Sequence, residues 1–120
     1  MSAEGYARIT NKPALVLVTN GPGSSNTITG VTGAYQDSLP MVIISGQVPT
    51  GQTIEPGLRQ LGVQELDIIP MVKGITKYAI QVRDAHRIKY YLEKGYSECI
   101  NGRKGPIWLD IPLNIQSAII

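Results

Sequence analysis

The chain has one cysteine and one histidine in 120 residues, a formal net charge of only +2 and no long apolar run. Each shortage excludes something. A lone Cys99 cannot form an internal disulfide, which points to a reducing compartment and so to the cytoplasm. Cys99 lies on the apolar stripe of an expected helix without an evident cationic neighbourhood, and reads as core packing rather than a reactive thiol. His86, in the first turn of that helix, reads as a surface residue, leaving no catalytic triad and, with a single cysteine, no metal ligand set. No stretch approaches the ~18 apolar residues that cross a bilayer, and the first five residues lack the charged and apolar regions of a signal peptide. Eleven basic residues face nine acidic ones, and the only adjacent basic pair, Arg103 and Lys104, reads as a solvated turn. A nucleic-acid partner is therefore not expected. Repeats, low-complexity segments and a dividing linker are missing too. With 42% apolar and 17% charged residues, the composition is that of one compact domain.

What is present is organised around Leu15 to Asn26, LVLVTNGPGSSN. A continuous apolar run, Ala14 to Thr19, predicts a strand buried on both faces, as parallel sheets require. Gly21-Pro22-Gly23 predicts a tight turn, and Ser24 or Ser25 is suited to cap the helix behind it. Ile28, Val31, Tyr35 and Leu39 recur at helical spacing until Pro40. Gly30, Gly33 and Ala34 among them predict close packing against a sheet or a partner. Met41 to Ser45 predicts a second strand leading into Gly46-Gln47, and Thr50 to Gly62 a long loop. A short helix within Val63 to Met71 and a third strand, Lys77 to Val82, follow. Asp84 caps a long helix with Ile88, Tyr91, Leu92, Gly95, Tyr96 and Cys99 on its apolar side, before a fourth strand, Pro106 to Ile111. Strands separated by helical patterns predict a three-layer α/β/α fold with a parallel sheet. Ligands of such sheets sit at the carboxyl ends of the strands, so the Gly-Pro-Gly turn is the first candidate site. Neither a Walker A loop nor a Rossmann fingerprint is present.

Several segments together resemble the pyrimidine-binding domain of thiamine-diphosphate-dependent enzymes of the acetolactate synthase family. They are Ala3-Glu4-Gly5-Tyr6-Ala7-Arg8, TNGPGSSN from Thr19 to Asn26, and AYQDSLPMVIISGQVP from Ala34 to Pro49. Gln64-Glu65, Thr76-Lys77-Tyr78 and GPIWLDIP from Gly105 to Pro112 extend the likeness across nearly the whole chain. The resemblance implies about four strands of a six-stranded fold, a partial domain over residues 1–120 that lacks its first two strands. It implies that Pro22 and Asn26 line the pyrimidine pocket, that Gln47 faces the reaction centre and that Lys77 stands near the substrate entrance. The family's glutamate, which promotes deprotonation of the thiazolium carbon, is expected before Met1, so no catalytic residue is expected in this chain. Glu4 matches only an acidic position near the end of a helix.

By the same resemblance the diphosphate and Mg²⁺ belong to a separate domain with a Gly-Asp-Gly motif, FAD is admitted but not required, and the active site forms between subunits of a homodimer or higher oligomer. The implied chemistry is condensation or decarboxylation of a 2-keto acid such as pyruvate, with the isolated chain inactive. Two alternatives stand beside it: a non-catalytic α/β binding or assembly module, and a related decarboxylase or lyase acting on another keto acid or an acyl-CoA.

Overall fold

The computed structural model describes residues 1–53 and 57–120. Of the expected loop, residues 54–56, Glu55 among them, lie outside the described residues. Four parallel strands, β1 (Ala14–Val18), β2 (Met41–Gln47), β3 (Tyr78–Gln81) and β4 (Pro106–Pro112), are ordered β1-β2-β4-β3. Ser45 pairs in register with Val18 on one side and Asp110 on the other, and Asp110 with Gln81. Helices cover both faces, which makes the three-layer α/β/α arrangement.

Because side chains alternate along a strand, each strand feeds two cores. Ala14, Met41, Ile43 and Trp108 pack with Ala7 of α1 (Ser2–Thr10), Val31 and Ala34 of α3 (Ile28–Gln36), and Ile68 and Val72 of α4 (Ile68–Val72). On the other face Ile107, Leu109 and Val82 pack against Cys99 of α5 (Ile88–Ile100), with Ile115 of α6 (Leu113–Gln116) beside them. Gly30 and Gly33 pack against the chain's own α1. A carbon added at Gly33 would stand 3.3 Å from Glu4 Oε1, and one at Gly30 3.3 Å from the Met1 amine.

Three sequence expectations are corrected here. The run Ala14 to Val18 is not buried on both faces: β1 is an edge strand, and Leu15 and Leu17 are 59% and 67% exposed. A helix is about 10 Å wide and strands lie about 4.8 Å apart, so α5 cannot span all four strands. For the same reason Leu92 and Tyr96 of α5 remain largely exposed, walling a cavity of about 370 Å³ with Leu15, Val42 and Ile44. The helix before Pro40 stops at Gln36, earlier than its apolar spacing predicts. Ser38 takes a left-handed φ of 60°, and the Leu39 amide closes back on the Ala34 carbonyl at 2.8 Å, the six-to-one bond of a Schellman end. Tyr35 is exposed, and Val31 and Ala34 carry the buried face.

The amino end of the sheet is closed by cations. Arg103 donates to the Gln36 carbonyl at 3.0 Å and Ser38 Oγ at 2.7 Å, at the end of α3. Lys104 donates to Asn11 Oδ1 at 2.8 Å, on the left-handed residue that ends α1. Lys77 donates to the carbonyls of Glu98 and, at 2.7 Å, Asn101, at the end of α5. Each positive charge meets the negative end of a helix.

An unpaired edge carrying exposed leucines templates association. The 120-residue chain is expected to show a sedimentation coefficient that rises with concentration. Leu17→Lys should abolish that rise while moving stability by no more than about 0.5 kcal/mol, as for other exposed positions. A wild-type chain that sediments as a monomer at every concentration would contradict this.

Candidate functional site

At the carboxyl ends of β1 and β2 a cleft of about 460 Å³ is lined by Val18, Thr19, Asn20, Gly46, Gln47, Val48, Pro49, Leu113 and Gln116. Its walls are apolar on one side and carboxamide on the other, and none of its lining side chains titrates. A larger cavity, about 640 Å³, follows the open edge of β1 between Tyr6, Pro13 and Leu15. That one lies against the uncovered edge rather than at the carboxyl ends of the strands.

The turn beside the cleft depends on Gly21, whose φ of 56° and ψ of −121° are closed to side-chain-bearing residues. A carbon added there would also lie 2.3 Å from the Gln64 carbonyl oxygen, because the 60–66 loop rests on the turn. Glu65, accepting the Leu61 amide at 2.8 Å and the Gly62 amide at 3.1 Å, holds that loop in shape. Pro22 opens α2 (Pro22–Ser25) as the first helical residue. Ser24 and Ser25 do not cap it. They lie within that turn of helix, and their hydroxyls donate back to the carbonyls of Gly21 and Pro22.

Under the cleft lies a buried row of polar side chains on one face of the sheet. Asp110 is fully buried and accepts Ser45 Oγ at 2.5 Å on one oxygen, and Gln47 Nε2 and Gln81 Nε2, each at 3.1 Å, on the other. Ser45 Oγ in turn accepts the Trp108 indole N–H at 2.8 Å. Burial raises the Asp110 carboxyl above the usual range, opposed by the donors Ser45, Gln81 and Gln47. Gln47 Nε2 also donates to the Leu66 carbonyl at 2.9 Å, while its Oε1 accepts the Val48 amide at 3.0 Å and Asn20 Nδ2 at 2.9 Å. Two protons and two lone pairs are thus all engaged. Gln47 lines the cleft with all of its own hydrogen-bonding groups engaged by the protein.

The other expected residues are placed differently. Asn26 is exposed and lines a separate cavity with Val16, Thr27, Gly30 and Met41. The structure does not bring it together with Gln47; the amide that meets Gln47 is Asn20. Lys77 stands at the amino end of β3, roughly 20 Å along the strands from Gln47. Its ammonium closes α5 there, so any substrate contact from it lies at the opposite end of the sheet. His86 is exposed in the turn capped by Asp84, whose carboxylate accepts the His86 amide at 3.0 Å. Cys99 is fully buried and its thiol is pushed up to about 11 by burial, with Lys77 and Lys104 only partly opposing, which suits packing rather than reactivity. Sequence reasoning missed Asn20, Ser45 and Gln81, and gave Asp110 no role. The available signal was a polar residue inside otherwise apolar strands, Ser45 in β2, Gln81 in β3 and Asp110 in β4.

Residues 1–71 match the family described as thiamine pyrophosphate enzyme, N-terminal TPP binding domain. Over nearly the whole chain there is similarity to the acetolactate synthase catalytic subunit, mitochondrial, of Saccharomyces cerevisiae, 35% identical over 118 residues. The acetolactate synthase large subunit of Buchnera aphidicola is 41% identical over 113 residues, and the chloroplastic acetolactate synthase of Arabidopsis thaliana 36% over 121. These alignments cover 98%, 94% and 98% of the chain but only 16%, 19% and 17% of those relatives' own length.

Two outcomes test this geometry. Gly21→Ala is expected to cost ~3 kcal/mol in urea unfolding, from a forbidden φ and a backbone collision together. Gly74→Ala, where nothing stands within 4 Å of the added carbon, should cost less than ~1 kcal/mol. For Asp110, a folded pKa above the unfolded one means that the folded state binds the proton more tightly. Its contribution to stability is full below the unfolded value and is lost as pH rises through the folded value. Urea midpoints measured from about pH 3 to pH 7 should carry that downward component in the wild type and lack it in Asp110→Asn.

Proposed function

The chain belongs to the thiamine pyrophosphate enzymes through their N-terminal TPP-binding domain, and from that membership we propose that residues 1–120 form a partial domain supplying the pyrimidine side of a thiamine diphosphate site. The parent enzyme would condense or decarboxylate 2-keto acids, a reading supported by relatives named as acetolactate synthases. The observation that carries this reading is the cleft at the carboxyl ends of β1 and β2, backed by the Asn20–Gln47 amide pair.

The residues present fit a flat heteroaromatic ring. Gly46 leaves room that a side chain would take, since an added carbon would stand 3.4 Å from Gln116 Nε2 at the cleft wall. Val18, Val48, Pro49 and Leu113 supply apolar walls that exclude water, and the carboxamides bind without charge. Pro22 and Asn26 are assigned to the pyrimidine pocket by the family resemblance, Asn26 from a cavity separate from this cleft. Bound thiamine diphosphate supplies the electron sink that 2-keto acid chemistry requires.

With no titratable group lining the cleft, the chain's own part is to bind and orient, and the acid that assists the cofactor is assigned outside these residues. Mg²⁺ is assigned with the diphosphate to a separate domain, as the family resemblance implies. The reading makes no use of FAD. It places the parent in a homodimer or higher oligomer that completes the site. No helix among the described residues is long and apolar enough to cross a membrane. A reducing compartment, the cytoplasm, suits the buried thiol, and the relatives' names add mitochondrial and chloroplastic settings.

A chimera tests the proposal. With this chain in place of the 118 matched residues of the Saccharomyces cerevisiae subunit, the product is expected to bind thiamine diphosphate and form acetolactate from pyruvate. The free 120-residue chain should give no saturable calorimetric heat with thiamine diphosphate and Mg²⁺ and release no carbon dioxide from pyruvate. A folded chimera that binds no cofactor would favour a non-catalytic binding module instead.

A further inference from the structure

We propose that Gln47, held by Asp110, the Leu66 carbonyl and the Val48 amide, is a positioning residue that sets the direction of a hydrogen-bond chain to Asn20, so that Asn20 turns its carbonyl oxygen to the cleft and the cleft selects a ligand group that donates a hydrogen bond. Only the identity of that ligand, an aminopyrimidine, rests on the functional reading above.

The direction follows from groups that cannot reverse. Ser45 Oγ accepts the Trp108 indole N–H, which can only donate, so the Ser45 hydroxyl proton is directed at Asp110. Two further donors, the Gln47 and Gln81 amides, converge on the other Asp110 oxygen. A carboxylate that only accepts satisfies all three. Gln47 must then present its NH₂ to Asp110, and two backbone groups fix the same orientation independently. The Leu66 carbonyl lies against Nε2 at 2.9 Å and the Val48 amide against Oε1 at 3.0 Å. Turning Gln47 over would set donor against donor at Val48 and acceptor against acceptor at Leu66.

Gln47 Oε1 therefore faces Asn20, which must answer with its NH₂, at 2.9 Å. What Asn20 has left is Oδ1, approached only at 3.4 Å by the hydroxyl of Thr19, another residue of the cleft lining. An amino group or protonated ring nitrogen completes that acceptor, whereas a carboxylate or phosphate oxygen would be repelled by it. Arg83, donating to Gln81 Oε1 at 3.2 Å, orients the second glutamine in the same sense.

The orientation can be read in the free chain by NMR, without cofactor or turnover. In the wild type, side-chain amide protons of Asn20 should exchange with solvent about tenfold more slowly than in the denatured chain, the protection expected of one retained hydrogen bond. Those of Gln47 should show a nuclear Overhauser contact with those of Gln81 across the shared Asp110 oxygen. In Gln47→Met the acceptor of the Asn20 NH₂ is removed at nearly constant volume, and Asn20 protection falls about tenfold. Ser45→Ala removes a donor from the Asp110 carboxylate without changing the direction, and should keep Asn20 protected. Wild-type Asn20 amide protons that exchange as freely as in the denatured chain would overturn the proposal, whether or not the variants fold. So would a folded Gln47→Met that retains full Asn20 protection. A chain that shows the expected orientation while the chimera stays inactive would count against the functional reading alone.

Discussion

A carboxylate taken out of water in the middle of a sheet is tolerated only where donors surround it, since desolvation costs several kcal/mol and is offset by well-aligned hydrogen bonds. Asp110 is fully buried on β4 and draws donors from both neighbouring strands, Ser45 and Gln47 on β2 and Gln81 on β3. Much of the rest depends on that. A slip of one residue would turn Asp110 onto the opposite face, among Leu109 and Ile111, with no donor in reach. The same group reaches the 60–66 loop through Gln47 and the Leu66 carbonyl, and the cleft through Gln47 and Asn20. One buried charge thus ties strand register, loop placement and the polar wall of the candidate site into a single network, and the buried side-chain polar atoms among the described residues all have partners.

The two ends of the sheet divide the work. Because helices run back against parallel strands, α1, α3 and α5 end where the strands begin, and Lys104, Arg103 and Lys77 close them there. Those cations stabilise a framework and sit away from the cleft, whose lining carries no charged residue. An uncharged cleft between apolar walls suits an aromatic ring held by carboxamides better than it suits a free anion. Membership of the thiamine pyrophosphate enzymes gives that chemistry its context, and the short span of the match, under a fifth of each relative cited, shows how much of such an enzyme lies elsewhere.

Several features were legible from residue order alone. Apolar runs of strand length separated by helical spacing determined the α/β class, the four strands to within two residues and the parallel sheet, because side-chain periodicity is a local property. The Gly-Pro-Gly turn was legible for the same reason: Gly21 takes a φ that only local chemistry allows. Asp84 was readable as a cap, since a carboxylate two residues from an amide needs nothing distant to bond it. Motif order from Ala3 to Pro112 carried the family.

Only the tertiary structure decided the rest. Strand order placed β1 at an edge and left Leu15 and Leu17 uncovered, which a run of apolar residues cannot reveal because burial depends on what packs above it. Register placed Asn20 beside Gln47 and Asp110 between Ser45 and Gln81, pairs separated by 27 to 65 positions in the chain. A left-handed Ser38 ended α3 early. Lys77 became a helix cap because α5 happens to end above it, a contact 24 residues away. Sequence determined which residues carry chemistry; the direction in which each donates or accepts is set by partners that the fold alone brings within 3 Å.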